Sequence, residues 1–402
     1  MQTPREFITL ITENLDDTND IHNFVFNCKS HAEHKNVYHE KIVKNIDDDD
    51  YDSLTDERLS YLQNIECDLT DNNLQDFIAR LKNNKSVKSL HFTTIKKENI
   101  NFLVYMLNNN TTIRELSLKC CNIGEKGIKL LSENLETNKT LMKLDLEDTN
   151  IGPKGMMHLG KALKKNDVLN DINLNSNQLG DEGVKIVAEV INENKTIKSI
   201  SIESNEIKKG VIDIMESLKN NKTLTHLSLA WNSIFQNASV EEKDDIITFA
   251  EHINECLKVN KTLLSLSLKQ NLLNENIIKI FSEGLIKNQS ITELDLSMNE
   301  LKDAMIHITE ILKKNNKISK INLSLTSIND AGVDILIQAL EVNKTLKELN
   351  LSSNDIGNKG YELFEKLLAE NKNKTLKNIQ LFRNIIEYDP CKKNKKIKFE
   401  IR

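Results

Sequence analysis

One sequence unit recurs along most of this chain, and only a fold built from internal repeats can accommodate it. At residues 343–360 the unit reads NKTLKELNLSSNDIGNKG, and close copies begin at Asn138 (NKTLMKLDLEDTNIGPKG) and Asn194 (NKTIKSISIESNEIKKG). A fixed period of this length predicts a solenoid, in which each unit buries its apolar side only against its neighbours.

An aliphatic residue in the middle of each unit gives a reference position. The reference positions are Leu62, Leu90, Leu116, Leu144, Ile172, Ile200, Leu227, Leu266, Leu294, Ile321, Leu349 and Ile379. Five residues after most of them stands Asn, Cys or Thr: Cys67, Cys121, Thr149, Asn177, Asn205, Asn232, Asn271, Asn299, Thr326, Asn354 and Asn384. The alternation around each reference position predicts a short strand, and the apolar spacing that follows predicts a helix.

This arrangement resembles the leucine-rich repeat. The long period and the glycine pairs after the strands resemble the ribonuclease-inhibitor type of that family; the pairs are Gly124/Gly127, Gly152/Gly155, Gly180/Gly183 and Gly357/Gly360. The resemblance implies an α/β fold, a horseshoe-shaped solenoid with inner parallel strands and outer helices. The Asn side chain at the bend is expected to satisfy backbone groups that the turn leaves unpaired.

The repeat register divides the chain into four segments. Residues 1–45 do not fit it and form a helical capping or F-box-like element, and residues 46–58 form an acidic linker. About twelve repeats fill residues 59–386, and residues 387–402 are a basic tail. One longer spacing, around residues 235–245, predicts an insertion between a strand and its helix, where binding loops are often carried.

The first helices carry a second resemblance. Pro4, Phe7, Ile8 and Leu15, followed by a turn and then Val25, resemble an F-box, although Thr3 and His31 replace the usual leucine and aromatic residue. In that family the element docks on the Skp-type adaptor of a cullin ubiquitin ligase, so the resemblance implies that Pro4, Phe7, Ile8, Leu15 and Val25 bind such an adaptor. The same helices also suit a cap on the first repeat, and the sequence leaves both interpretations open.

The inner, concave face is the best candidate for a binding site. Side chains one, three and four residues after each reference position should face solvent there. An acidic set comprises Asp145, Glu147, Asp148 and Glu203, and a second set comprises Trp231, Met298, Leu325, Phe382 and Arg383. Exposed aromatic and methionine side chains beside charged ones are typical of a protein-binding surface.

Composition and motifs narrow the function classes. The net charge of −6 disfavours a nucleic-acid partner. No apolar run approaches the length of a membrane span, and no secretory signal precedes the repeats, so we expect a cytoplasmic protein. The six cysteines are scattered, which favours a reducing compartment. No catalytic motif or metal-ligand spacing stands out, and we expect no enzymatic activity, no metal and no cofactor.

The favoured function is a non-enzymatic interaction module that binds a protein ligand on its concave face. With an F-box it would be a substrate receptor of a ubiquitin ligase, or a pathogen effector that acts in a host's cytosol. The alternative is a GTPase-activating protein of the Ran type, a family that this chain resembles across the repeats. That activity uses a loop arginine, and the loops at 96–99, 122–126 and 150–154 contain none.

Overall fold

The computed structural model describes residues 43–47, 51, 54–60, 62–69, 71–236, 243–386 and 398–400. Within these ranges, fourteen strands form one parallel sheet in chain order. The strands are β1 Val43–Asp47, β2 Asn64–Asp68, β3 Ser89–Phe92, β4 Glu115–Ser117, β5 Lys143–Asp145, β6 Asp171–Asn173, β7 Ser199–Ser201, β8 His226–Ser228, β9 Ser265–Ser267, β10 Glu293–Asp295, β11 Lys320–Asn322, β12 Glu348–Asn350, β13 Asn378–Gln380 and β14 Lys398–Glu400.

A helix follows each strand from β1 to β12. The helices are α1 Asp56–Leu59, α2 Asp71–Leu81, α3 Ile100–Asn109, α4 Gly124–Leu135, α5 Gly152–Lys165, α6 Gly180–Glu193, α7 Gly210–Asn220, α8 Lys243–Val259, α9 Glu275–Lys287, α10 Met305–Lys314, α11 Asp330–Val342 and α12 Asn358–Ala369, with a short 3-10 turn Lys97–Asn99 before α3. The predicted α/β solenoid of parallel strands and helices is therefore confirmed.

The predicted reference residues form the spine of the sheet. Leu144 pairs with Ile172, which pairs in turn with Ile200, and the same register continues from Leu90 to Ile379. These central residues are buried while the residues on either side of them are partly exposed. Because the sheet is parallel and in register, each surface position forms a column that runs along the solenoid.

The two glycines of a repeat serve different purposes. Gly152 begins α5 with a φ of 63°, in the left-handed region that glycine enters without steric cost. Three residues later, a Cβ atom on Gly155 would lie 2.7 Å from Cγ2 of Ile151 and 2.8 Å from Cγ2 of Ile128. The second glycine therefore allows neighbouring repeats to approach closely.

The predicted Asn side chains line up in one buried column. In Asn177, Nδ2 donates to the Leu146 carbonyl of the preceding repeat at 2.7 Å. Its Oδ1 accepts from the backbone N–H groups of Thr149 at 3.1 Å and Ile151 at 3.2 Å. Corresponding bonds join the equivalent Asn residues to the repeat before them, at Asn205, Asn232, Asn271, Asn299 and Asn354.

A second Asn column opens the loops that precede the strands. Nδ2 of Asn166 donates to the Leu135 carbonyl at 2.7 Å, and its Oδ1 accepts from the Leu169 N–H at 2.7 Å. The Asn residues of the recurring Asn-Lys-Thr segments occupy this column and are buried, namely Asn138, Asn194, Asn221, Asn260, Asn343 and Asn373. These glycosylation-like sequences are therefore structural, since the folded chain hides their acceptor amides.

The first repeat is shifted from its predicted register. Ile65, and not Leu62, pairs with Leu90 at the centre of the sheet. Cys67 consequently belongs to strand β2 as a buried residue and does not occupy the Asn position. The prediction placed the reference position three residues too early because two apolar residues, Leu62 and Ile65, both fit the approximate spacing.

Both ends of the solenoid differ from the predicted division. Strand β1 crosses the boundary expected at residue 45, and Ile46 is fully buried. Tyr51 and Leu54, within the segment expected to be an acidic linker, are also buried. Ile46, Tyr51 and Leu54 thus extend the apolar core towards the N-terminus, and β1 adds one more strand to the sheet. Strand β14 lies in the segment expected to be a basic tail and pairs with β13.

The predicted insertion changes one repeat. Helix α8, which follows the longer spacing, has 17 residues, compared with 11 in α7 and 13 in α9. Part of the additional sequence therefore extends the helix. Residues 237–242 of the insertion lie outside the described residues.

Candidate protein-binding surface

The turn after each strand from β4 to β13 presents an exposed or half-buried residue in a left-handed backbone conformation. We call this residue, four positions after the central strand residue, the rim residue. From β4 to β13 the rim residues are Cys120, Asp148, Ser176, Ser204, Trp231, Gln270, Met298, Leu325, Ser353 and Arg383, and their φ angles lie between 51° and 61°. The rim therefore borders the inner face along the carboxyl ends of the strands.

The rim changes character halfway along the solenoid. Residues with small or polar side chains occupy it from β4 to β7, whereas from β8 onwards it carries Trp231, Met298 and Leu325 together with Gln270, Ser353 and Arg383. Trp231 is 44% exposed and Leu325 51% exposed, while Met298 is half-buried. Three of the predicted apolar site residues thus lie in one row, which also contains the predicted residues Asp148 and Arg383.

Sequence reasoning missed a fourth apolar residue at the rim. Leu272, six positions after its central strand residue, is 42% exposed and also has a positive φ of 61°. Asn150, Gln178 and Ser327 hold the equivalent place in other repeats. This column is polar in the other repeats from β4 to β12, and Ile385, after β13, is its other apolar residue. An apolar residue in a mostly polar column is the signal that could have revealed Leu272.

The only tryptophan of the chain has a cationic neighbour. Nζ of Lys269, in the next repeat, lies 5.8 Å from the centre of the Trp231 ring. A cation over an indole face is attracted by the ring quadrupole by about 0.5–1 kcal/mol at an exposed site. This contact orients the ring without covering it.

The predicted residues of the last complete repeat, Phe382 and Arg383, lie further along the solenoid than Trp231, Met298 and Leu325, and Arg383 is a rim residue. Phe382 is half-buried and its neighbour Arg383 is exposed. Two strand spacings separate them from Leu325, a distance of roughly 10 Å at the usual spacing of about 4.7–4.9 Å between strands. They extend the candidate surface towards the end of the sheet.

The predicted acidic residues take part in a polar network. Nζ of Lys119 lies 3.1 Å from Oε2 of Glu147, which raises the lysine pKa through the hydrogen bond. Oε1 of Glu203 accepts a hydrogen bond from the Ser228 hydroxyl at 2.6 Å. Asp145 accepts one from the Ser117 hydroxyl at 3.0 Å. Neighbouring repeats are thereby cross-linked on the inner face.

The structure does not bring the two predicted sets into one patch. Asp145, Glu147 and Asp148 belong to the β5 repeat and Glu203 to the β7 repeat, whereas the apolar set begins at β8. All of these residues share one side of the sheet, but the acidic set lies on its first half. The five predicted adaptor-binding residues, Pro4, Phe7, Ile8, Leu15 and Val25, lie outside the described residues.

Two hollows accompany this surface. One, of about 330 Å³, lies on the inner face above β9 to β13. In it Lys320 Nζ stands 3.2 Å from Glu293 and 3.6 Å from Glu348, and the hydrogen bond to Glu293 raises the Lys320 pKa. The other, of about 620 Å³, lies among the first loops, and its lining residues include Lys97 and Lys126 but no arginine.

Neither metal ligands nor a membrane helix accompany the surface in the described part of the chain. There, no group of three or more His, Cys, Asp or Glu side chains is arranged to hold a metal ion. The helices within the same residues are too short or too polar to cross a membrane.

Comparison with known proteins identifies the repeat. Six segments match the family described as Leucine Rich repeat: residues 109–132, 137–160, 165–188, 220–239, 287–304 and 342–364. No curated protein matches the sequence.

Solved structures share the architecture at low sequence identity. An internalin (inlF) from Listeria monocytogenes is 18% identical over 86% of this chain and 81% of its own, with a TM-score of 0.44. A structure of the yeast Rad7 and Elc1 complex is 13% identical over 98% of this chain and 90% of its own, with a TM-score of 0.50. The TLR13–ssRNA13 complex is 15% identical over 89% of this chain and 45% of its own, with a TM-score of 0.48. At these identities the likeness concerns the fold alone.

Proposed function

Because the chain is a leucine-rich repeat protein, and such repeats indicate a protein–protein interaction module, we propose that it binds a protein ligand without catalysing a reaction. The ligand would occupy the inner face and the rim of a solenoid of the ribonuclease-inhibitor type. The proposed contact residues are Trp231, Met298, Leu325, Phe382 and Arg383, with Asp145, Glu147, Asp148 and Glu203.

One observation carries this proposal: large apolar side chains stand exposed in a row of turn positions where other repeats place serine, aspartate or glutamine. A left-handed conformation costs a residue with a Cβ atom about 1–2 kcal/mol. Trp231 and Leu325 adopt it with φ angles of 58° and 57°, yet about half of each side chain remains in water. Folding gains little from such placement, so we attribute it to a bound state in which these side chains become buried.

The test compares a variant of the rim with a variant that removes an exposed apolar side chain elsewhere on the solenoid. Trp231→Ala with Leu325→Ala alters the rim, whereas Met157→Ala alters helix α5, where Met157 is 63% exposed. Proteins captured from a lysate by the intact chain would be purified and their affinities measured for all three forms. We expect a loss of at least about 30-fold for the rim variant, corresponding to about 2 kcal/mol for one anchor residue, and no change for Met157→Ala. Equal affinity of every captured protein for the rim variant would refute the proposal.

We further propose that residues 1–45 act as an F-box-like element, which would make the chain a substrate receptor of a ubiquitin ligase, in its own cell or as an effector in a host's cytosol. The support is the sequence resemblance, with Pro4, Phe7, Ile8, Leu15 and Val25 as the adaptor-binding residues.

A recombinant Skp-type adaptor provides the direct test of this element. Phe7→Ala with Ile8→Ala should abolish its binding to the full chain. Phe102→Ala with Ile247→Ala removes the same residue types from exposed positions on α3 and α8 and should leave binding unchanged. No binding of the adaptor by the intact chain would reject this role and would leave the repeat surface unaffected.

The Ran-type alternative makes a different prediction. A GTPase-activating protein with this architecture would accelerate GTP hydrolysis by a Ran-type GTPase through its first loops. The hollow among these loops has lysines and no arginine in its lining, so we expect no acceleration by the full chain. A measured increase in the hydrolysis rate would replace the proposal of a purely binding function.

A further inference from the structure

The inner face and rim are electrically asymmetric along the solenoid. From β4 to β7, the strand residues that flank the centre and the two turn residues after them carry two lysines, Lys119 and Lys143, and six carboxylates: Glu115, Asp145, Glu147, Asp148, Asp171 and Glu203. Lys143 pairs with Glu115 at 3.0 Å and Lys119 with Glu147 at 3.1 Å. In the described part of the chain the other four carboxylates have no lysine or arginine within salt-bridge distance.

The second half of the same surface is balanced in charge. From β8 to β13 the corresponding positions carry three acidic and three basic residues: Glu293, Asp295 and Glu348, with Lys269, Lys320 and Arg383. Lys320 lies between two of these carboxylates. The apolar rim residues and Leu272 stand beside this neutral half, so the acidic and the apolar regions follow one another along the solenoid axis.

Building on the proposed function, we propose that the protein ligand presents a bipartite segment, with a cluster of Lys or Arg over β4 to β7 and an apolar cluster over the rim from β8 to β11. Unpaired carboxylates on one face attract cations and repel anions, and they accelerate the encounter with a basic partner. The apolar rim then provides surface that gains from removal from water. The order of these two regions along the solenoid determines that the basic cluster of the segment lies over β4 to β7 and its apolar cluster over the rim from β8 to β11.

The sheet also sets the length of that segment. From β5 to β11 there are six strand spacings, or about 29 Å at roughly 4.8 Å each. An extended chain covers this distance with about nine residues, and a helix covers it with about nineteen. A 20-residue peptide can therefore reach both regions in either conformation.

The experiment selects binders from a displayed library of random 20-residue peptides. Selection runs in parallel on the intact chain and on the variant with Trp231→Ala and Leu325→Ala. We expect sequences enriched on the intact chain alone to carry a Lys/Arg cluster and a separate apolar cluster. Enriched sequences that are acidic, that lack an apolar cluster or that intersperse the two residue classes overturn the inference, as does a selection without enrichment over the variant.

Charge variants then test the acidic half with the most enriched peptide, synthesised without tryptophan. Because Trp231 is the only tryptophan, its emission reports binding at the rim directly. Asp145→Asn with Asp171→Asn should weaken binding at least tenfold at low salt, and the difference should shrink at 0.5 M salt. Asp213→Asn with Asp334→Asn, at exposed positions on α7 and α11, removes the same charge and should change nothing. Equal effects of the two pairs overturn the inference.

The outcomes separate this inference from the proposed function. If lysate partners lose affinity for the rim variant but selected peptides show no bipartite pattern, only the bipartite ligand is rejected. If lysate partners bind the rim variant as tightly as the intact chain, the proposed binding surface itself is rejected.

Discussion

Replacing one buried asparagine tests the account of how the repeats are joined. Asn177 and Thr149 are both fully buried. In Asn177→Ala the backbone N–H groups of Thr149 and Ile151 lose their common acceptor. The Leu146 carbonyl keeps a partner, because the Thr149 hydroxyl donates to it at 2.7 Å.

The expected loss of stability follows from the two backbone N–H groups that lose their acceptor. A buried donor without a partner costs about 1–3 kcal/mol, so the two together should lower the free energy of unfolding by about 4 kcal/mol. Asn177→Thr should cost nearly as much, because a threonine hydroxyl in this column donates to a carbonyl of its own repeat and leaves both N–H groups without their acceptor. Thr149 and Thr326 already occupy the same column, and the hydroxyl of each bonds a carbonyl three residues earlier.

Hydrogen exchange gives the local measurement, and urea denaturation gives the global one. Exchange of the peptide covering residues 146–153 should accelerate by about 10² to 10³-fold in Asn177→Ala, since each 1.4 kcal/mol corresponds to a factor of ten. The matched control is Asn192→Ala, an exposed residue on α6, for which we expect a change within about 0.5 kcal/mol. If the two alanine variants differ by less than about 1 kcal/mol, the asparagine column does not join the repeats as argued.

Three further predictions concern the packing and the titrating groups. Gly360→Ala should cost about 1–3 kcal/mol in urea unfolding, because its Cβ would lie 2.5 Å from Oδ1 of Asp330; a gain in stability, as alanine gives in an open helix, would contradict the close approach. Hydrogen bonds from two lysines lower the pKa of Glu283 to about 2 from 4.5, so its contribution to stability is present above pH 4.5 and is lost as the pH falls towards 2. The difference in unfolding midpoint between the wild type and Glu283→Gln should therefore narrow as the pH falls from 4.5 towards 2. A difference that stays constant with pH would contradict the lowered pKa of Glu283. Burial raises the pKa of the Cys256 thiol to about 12, so iodoacetamide at pH 8 should label the exposed Cys120 and spare Cys256 until the chain is unfolded, as mass spectrometry can show.

The central part of the fold could be predicted from the sequence because the same pattern of residues occurs in one repeat after another. From Leu90 to Ile379 every reference position lies at the centre of the sheet. A solenoid has no long-range contacts other than those between neighbouring units, so a correct register in one unit transfers to the next. The prediction at Leu62 was wrong because the segment before the first repeat does not follow the pattern. Both Leu62 and Ile65 fitted the expected spacing, and it is Ile65 that pairs with Leu90.

The candidate surface was only partly predictable for a related reason. Counting residues from each reference position predicted that Trp231 and Leu325 are exposed, and both are exposed in the structure. Counting could not show that Glu147 pairs with Lys119, because such a contact depends on side-chain direction across a repeat boundary. Leu272 was missed because only the positions one, three and four residues after the centre were expected to face solvent, although Leu272 has a left-handed backbone and is exposed.

Stability and the proposed recognition depend on different columns of the same repeat. The central strand residues, the helix faces and the two asparagine columns are buried, and a change in any of them is felt by the neighbouring repeat. The rim residues contact solvent, and their backbone conformation is compatible with serine, aspartate, glutamine, methionine or tryptophan alike. A repeat can therefore change its rim residue without changing its interior, which is how one regular scaffold can carry an acidic half and an apolar half. The position of Trp231 at the junction of these halves, where β8 follows β7, makes it the residue at which a ligand that spans both regions must make contact.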